Sequence, residues 1–256
     1  MDASRKTVVL SIVIPVFNEA GNIQPLVQRL RPVLAAVPGN AEVIFIDDGS
    51  TDSTLTEILR EQETDSRIRM IRFRKNLGQT AALAAGFQNA RGEAIVTLDG
   101  DLQNDPADIP ALVEKLEGWD VVCGIRVRRQ DSWLKRISSR IANGVRNWAT
   151  EDNIIDTGCT LKAYRRECVS QLELFKGMHR FLPTLLKMRG FSVLQVPVSH
   201  HPRLRGKTKY GTWGRLFKGL PDLYVVRWMK RNRIDYSSEL EFDDKPSRTA
   251  VLERKA

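Results

Sequence analysis

The chain has 256 residues, 42% of them hydrophobic and 28% charged, with a formal net charge of +9 and a pI near 9.7. That size suits one large domain or two small ones with a proper core, and the composition is that of a soluble globular protein. The basic excess points to an anionic partner: nucleic acid, a membrane surface or a phosphorylated ligand. Three cysteines, Cys123, Cys159 and Cys168, form no CxxC pair and have no histidine-rich companion, which argues against a disulfide framework or a zinc site.

The N-terminus "MDASRKTVVL" moves straight into a strand-like run and has no secretory-leader layout. No apolar run approaches the ~18 residues of a membrane span. A cytoplasmic protein, soluble or peripheral at a membrane face, is the expectation. Apolar, β-branched runs follow at Thr7–Pro15, Glu42–Asp47, Ile68–Phe73, Ala94–Asp99 and Asp120–Gly124. Between them, helical patterns opened by polar or proline start signals are predicted at 22–37, 51–63, 79–90 and 107–117. Such alternation predicts an α/β fold: a mostly parallel, Rossmann-like central sheet flanked by helices.

From Arg126 to Trp148 the chain becomes basic, with interspersed apolar residues. A strand is predicted near "TLKAY", a helix over His179–Arg189, a strand at "SVLQVPV", and an amphipathic helix over Trp213–Arg231 after the basic turn "HHPRLRGKTKYG". The three histidines, His179, His200 and His201, are too dispersed for a metal triad and read as loop or surface residues. The domain is expected to span 1–234, with one half to about 125 and a second from 126, and a flexible polar tail at 235–256.

In parallel sheets ligands sit beyond the carboxyl ends of strands. Three such ends are acidic: "PVFNEAGNI" with Asn18 and Glu19, "IDDGSTDST" with Asp47 and Asp48, and "TLDGDLQ" with Asp99, Asp101 and Gln103. Each alone is also the pattern of an ordinary capped turn. Together at one sheet edge they need a compensating positive ligand. A metal-bound nucleoside diphosphate supplies one, because Asp and Gln oxygens suit Mg²⁺ or Mn²⁺.

The segments "SIVIPVFNEAGNI", "VIFIDDGSTDST", "KNLGQTAALAAGFQNARGEAIVTLDGDLQNDP" and "DVVCGIRVRR", in that order, resemble the family 2 glycosyltransferases of the GT-A fold. The resemblance covers about 8–210. It implies a nucleoside-diphosphate sugar (UDP- or GDP-linked) as donor. Pro15, Val16, Asn18, Glu19, Asp47, Asp99, Gly100 and Asp101 would line the donor site, and Asp99, Asp101 and Gln103 would hold the metal. Asp48 would orient its turn, while Gly78 and Gln79 would open the helix beneath the pocket.

The second half is similar to the dolichyl- and undecaprenyl-phosphate sugar synthases. The matching elements are "GIR" ending at Arg126, "WLKRISSRIANGVRN", "DTGCTLKAYRRE" and "RLRGKTKYG", where Thr208 stands for the branch's usual serine. This implies an inverting transfer to polyprenyl phosphate. Arg126, Arg136 and Ser139 would bind the acceptor phosphate, Lys135 competing with Arg136 for the match, and Asp156 would position ligands. Arg203 and Lys209 would close over the donor phosphates, and Asp101, Arg126 and Arg203 would carry the catalysis. A polyprenyl phosphate is already an anion, so no general base is required.

The alternative is a hydroxyl acceptor, which needs a base; Glu151 or Asp152 in "ATEDNIID" is the candidate. Nucleic-acid binding is not expected, for no recognisable motif accompanies the charge. A membrane surface or an integral membrane partner is expected to present the lipid, and a homo-oligomer is compatible with the sequence. The apolar residues Trp133, Ile137 and Ile141 of 132–148, and Trp213, Leu216, Phe217, Leu220 and Leu223 of 213–231, alternate with cations as an interfacial helix requires.

Overall fold

A computed structural model of the chain describes residues 8–37, 39–126, 144, 152–170, 172, 175–202 and 212–232, with only the backbone for 212–221. The predicted 132–148 helix, the candidates Lys135, Arg136, Ser139, Glu151, Arg203 and Lys209, and the 235–256 tail lie outside these residues.

The elements in order are β1 (Val8–Val16), α1 (Ile23–Ala36), β2 (Asn40–Asp47), α2 (Thr54–Thr64), β3 (Ile68–Arg72), α3 (Gln79–Asn89) and β4 (Ala94–Thr97). There follow α4 (Ile109–Glu114), β5 (Val121–Arg126), β6 (Lys162–Arg165), α5 (Arg166–Ser170), α6 (Leu182–Met188), β7 (Val193–Val198) and α7 (Thr212–Arg231). The strands form one sheet in the order β3-β2-β1-β4-β6-β5-β7. Among the described strands, only β6 runs antiparallel to its neighbours. An apolar run carries no direction, so this reversal was not readable from the pattern.

The continuous apolar strands split by their period of two. On β1, Leu10, Ile12, Ile14 and Val16 face the layer of α1 and α4, while Val13 faces that of α3, α5 and α6. Both faces are therefore buried, as parallel strands require. The small residues of α3 let it lie close to the sheet. A Cβ on Gly86 would sit 2.3 Å from Val13 Cγ1 and 3.1 Å from Ile46 Cδ1.

One strand boundary and two helices differ from the sequence expectation. β4 ends at Thr97 rather than Asp99, so Leu98 onward leaves the sheet. Pro15 lies just past the last β1–β4 pair, Val13 with Thr97, where one side of β1 is already open and a missing N–H is tolerated. The predicted 107–117 helix is a short α-helix between two 3₁₀ turns, Pro106–Asp108 and Lys115–Glu117. The 179–189 pattern likewise divides into a 3₁₀ turn, Met178–Phe181, and α6.

The C-terminal helix α7 docks through Val226, which is buried with Met178, Phe181 and Leu185, while Leu223 and Met229 pack alongside. Fully burying one such side chain contributes about 1.5–3 kcal/mol. Leu223 thus belongs to the packed face, contrary to its assignment to an interfacial one. Tyr224 and Trp228 remain 72% and 58% exposed on the other side. Among the described residues, no helix is long and apolar enough to cross a membrane.

Candidate active site

The strand order places β1 between β2 and β4, the point at which the sheet's winding reverses and beyond whose carboxyl ends such sheets bind ligands. The loop after β1 is laced to the loop after β2. Backbone N–H groups of Asn18, Glu19, Ala20 and Gly21 donate to Ser50 Oγ, Thr54 Oγ1, Asp52 and Glu57, and Asn18 Oδ1 accepts from Thr51 N at 2.8 Å. The polar run "STDST" therefore caps its neighbour's loop as well as leading into its own helix. Asn18 adopts a left-handed backbone, φ 54°, which asparagine tolerates. Glu19 accepts from Asn22 Nδ2 at 2.8 Å.

Asp47 closes β2 and is fully buried. Its Oδ1 accepts Ser50 N at 2.9 Å, whereas Oδ2 accepts no hydrogen bond, the Arg72 guanidinium lying 3.7 Å away. A buried carboxylate oxygen without a donor is costly unless a ligand supplies one. Asp48 behaves differently: it accepts from Leu77 N at 2.7 Å, Gly78 N at 2.9 Å and Asn76 Nδ2 at 2.9 Å, fixing the turn that opens α3.

Leaving β4, the chain makes the acidic turn. Gly100 packs on β1, where a Cβ would meet Val16 Cγ1 at 2.7 Å, with Glu19 Cγ at 3.8 Å. This close approach brings Val16, Glu19 and the acidic turn together. Leu102 takes φ 63°, unusual for a branched residue, and is held there by burial in the α1/α4 core. Asp101 is buried and its Oδ1 accepts Gln103 N at 3.1 Å. Asp99 Oδ1 accepts Gln79 Nε2 at 3.0 Å. Burial, and next the Asp101 charge, push the Asp99 carboxyl up to about 6.

Two carboxylates that raise each other's cost suit a divalent cation. Among the described residues no group of three or more His, Cys, Asp or Glu side chains could hold a metal. Asp99 and Asp101, with Gln103 next in the turn, could supply only part of a cation's oxygen ligands, the rest falling to phosphate oxygens and water.

Arg126 stands at the end of β5. It is paired bidentately with Asp156, Nε to Oδ2 and Nη2 to Oδ1 both 2.8 Å, at 19% and 7% side-chain exposure. Asp152 is also buried: Thr184 Oγ1 donates to its Oδ2, and Ile154 N to its Oδ1 at 3.4 Å. Its carboxylate is engaged in structure, which weakens it as a base. His179 is not a plain surface histidine; its Nδ1 bonds Thr80 Oγ1 at 2.7 Å.

Pro15, Val16, Asn18, Glu19, Asp47, Asp99, Gly100, Asp101 and Gln103 thus gather at one edge of the sheet, and Arg126 lies close enough to interact electrostatically with Asp99. Motif reading missed the support of Asp99. Thr160, whose Oγ1 accepts from Asn104 Nδ2 at 2.8 Å, lies near enough to favour the charged form of Asp99. Lys162 is buried below, donating to the Cys159 carbonyl. A lysine inside the otherwise apolar "LKAY" was the one available signal.

The family model described as "Glycosyl transferase family 2" matches residues 11–172. The chain belongs to this family. A dodecaprenyl-phosphate galacturonate synthase from Rhizobium johnstonii is 39% identical over 228 residues, 87% of this chain and 67% of that protein. An undecaprenyl-phosphate 4-deoxy-4-formamido-L-arabinose transferase from Edwardsiella ictaluri is 38% identical over 205 residues, 79% of this chain and 63% of that protein. The chain therefore spans about two thirds of the length of these relatives.

Among solved structures, glucosyl-3-phosphoglycerate synthase from Mycobacterium tuberculosis with UDP superposes with a TM-score of 0.64 at 20% identity, over 89% of this chain and 82% of that one. Its complex with Mn²⁺, UDP and glucosyl-3-phosphoglycerate gives 0.64 at 20%, over 86% and 80%. The family 2 glycosyltransferase described here has the GT-A fold, with its mostly parallel central sheet and flanking helices.

Proposed function

We propose that this family 2 glycosyltransferase moves a sugar from a nucleoside diphosphate to a polyprenyl phosphate with inversion, assisted by Mg²⁺ or Mn²⁺. The observation that carries this reading is the 39% identity to the dodecaprenyl-phosphate galacturonate synthase, which extends over 87% of the chain, well beyond the family-matched 11–172. The engaged state of Asp152 disfavours it as the base that a hydroxyl acceptor would need, leaving Glu151 as the other candidate for that role.

On this reading the nucleotide lies across the ends of β1 and β2. Pro15, Val16, Asn18 and Glu19 line it, Asp47 Oδ2 accepts one of its N–H or O–H groups, and Gly100 leaves room beside Val16. Asp99, Asp101 and Gln103 would hold the divalent ion, which neutralises the diphosphate and eases its departure. The lipid phosphate attacks the anomeric carbon directly as an anion. Arg126 orients it or steadies the leaving diphosphate, its own direction fixed by Asp156. Arg136, with Lys135 as the competing match, and Ser139 complete the acceptor phosphate site; Arg203 and Lys209 cover the donor phosphates.

The lipid tail remains in a bilayer, so the enzyme works at a membrane's cytoplasmic face, docked directly or through an integral membrane partner. The exposed Tyr224 and Trp228 beside Arg231 on α7 support direct docking. The test is a panel of UDP- and GDP-sugars offered with a short polyprenyl phosphate. A lipid-linked product that disappears with excess chelator and in Asp101→Ala is expected; full transfer in chelator would overturn the metal role.

A further inference from the structure

We infer that Gln79 is a positioning residue for Asp99, a role that rests on the proposed metal reading of the acidic turn. Its side-chain amide donates to Asp99 Oδ1 at 3.0 Å from the first turn of α3. An amide can hold a carboxylate in place only if its own backbone is fixed, and here it is fixed from two sides. Asp48 takes the N–H groups of Leu77 and Gly78 and the amide of Asn76, and Gly78 supplies the left-handed φ of 93° that this turn needs. The next residue, Thr80, is buried, bonded through Oγ1 to His179 Nδ1 at 2.7 Å, and accepts Gly177 N at 3.1 Å.

Residues 76–80 thus form a bracket between the end of β2, the end of β4 and the 177–179 loop. With one oxygen engaged by Gln79, the Asp99 carboxylate is held in one orientation toward Asp101. Outer donors of this kind set the geometry of metal-binding carboxylates, and their loss costs about 10–100-fold in metal affinity.

The test uses Gln79→Met, which keeps length and helix propensity but has no N–H, and Gln79→Asn, which keeps the amide but falls one methylene short. Free Mn²⁺ is measured by electron paramagnetic resonance with MnCl₂ alone and with UDP, alongside melting temperature and metal-free UDP affinity. Mn²⁺ binding about tenfold weaker in both variants is expected, with melting temperature and metal-free UDP affinity unchanged. Mn²⁺ affinity within twofold of wild type, or variants that fail to fold, would mean a purely structural glutamine and overturn the inference. Wild-type protein that binds no Mn²⁺ even with UDP would overturn the metal reading itself, and this inference with it.

Discussion

Removing Asp156 leaves Arg126 buried without its anion. The pair is bidentate, with both bonds at 2.8 Å, and its side chains are only 19% and 7% exposed, so water cannot replace the lost partner well. Breaking such a pair from one side costs about 3–5 kcal/mol, whereas replacing both members with apolar groups is often neutral. At roughly 2–4 °C per kcal/mol for a chain of this size, Asp156→Ala should melt about 6–20 °C below wild type. The double variant Arg126→Met/Asp156→Leu should recover most of that loss while remaining inactive in sugar transfer, because the cation is gone. Calorimetry and a transfer assay on the same preparations read both. A single variant that melts within two or three degrees of wild type, or a double variant less stable than the single, would refute the treatment of Asp156 as the partner that makes a buried Arg126 tolerable.

Gly86→Ala places a Cβ 2.3 Å from Val13 Cγ1, so α3 must lift from the sheet; a loss of about 1–3 kcal/mol in denaturant unfolding is expected. His179 is held down to about 4 by burial and then by the Arg180 and Lys162 charges. The unfolded chain takes that proton below about 6.5 and the folded one does not until about 4, so stability is full above 6.5 and falls as pH drops between the two, by at most ~3 kcal/mol. Urea midpoints at pH 7.5 and 5.0 should differ in that direction, and His179→Gln should flatten the difference. Replacing Trp228 and Phe217 with serine should weaken salt-sensitive binding to anionic vesicles without lowering transfer to a detergent-dispersed acceptor; vesicle binding that is absent in wild type at low salt would leave the membrane address to a partner.

The α/β alternation and the acidic strand ends were legible because both are local patterns. Asp99 and Asp101 sit two residues apart, and the rule that ligands lie beyond strand ends joins them to Asp47 and Glu19. What supports these residues was not legible, since it depends on contacts across long separations. Gln79 meets Asp99 only because α3 packs close through Gly86, and Arg126 meets Asp156 only because β6 turns back antiparallel between β4 and β5. Leu223 was assigned to the wrong face of its helix because the amphipathic pattern of α7 does not reveal which side meets the 178–185 segment. The strand predicted to run to Asp99 stops at Thr97, and no propensity marks that exit; the positive φ of Leu102 is imposed by burial of its side chain.

The most direct measurement of the central claim is the mass of the lipid product formed from a nucleoside-diphosphate sugar and a polyprenyl phosphate whose non-bridging oxygens carry ¹⁸O. Direct attack by the lipid phosphate on the anomeric carbon predicts a sugar linked through one phosphate, with all the label retained. A sugar linked through a diphosphate, or transfer to hydroxyl acceptors while polyprenyl phosphate is left unchanged, would contradict it.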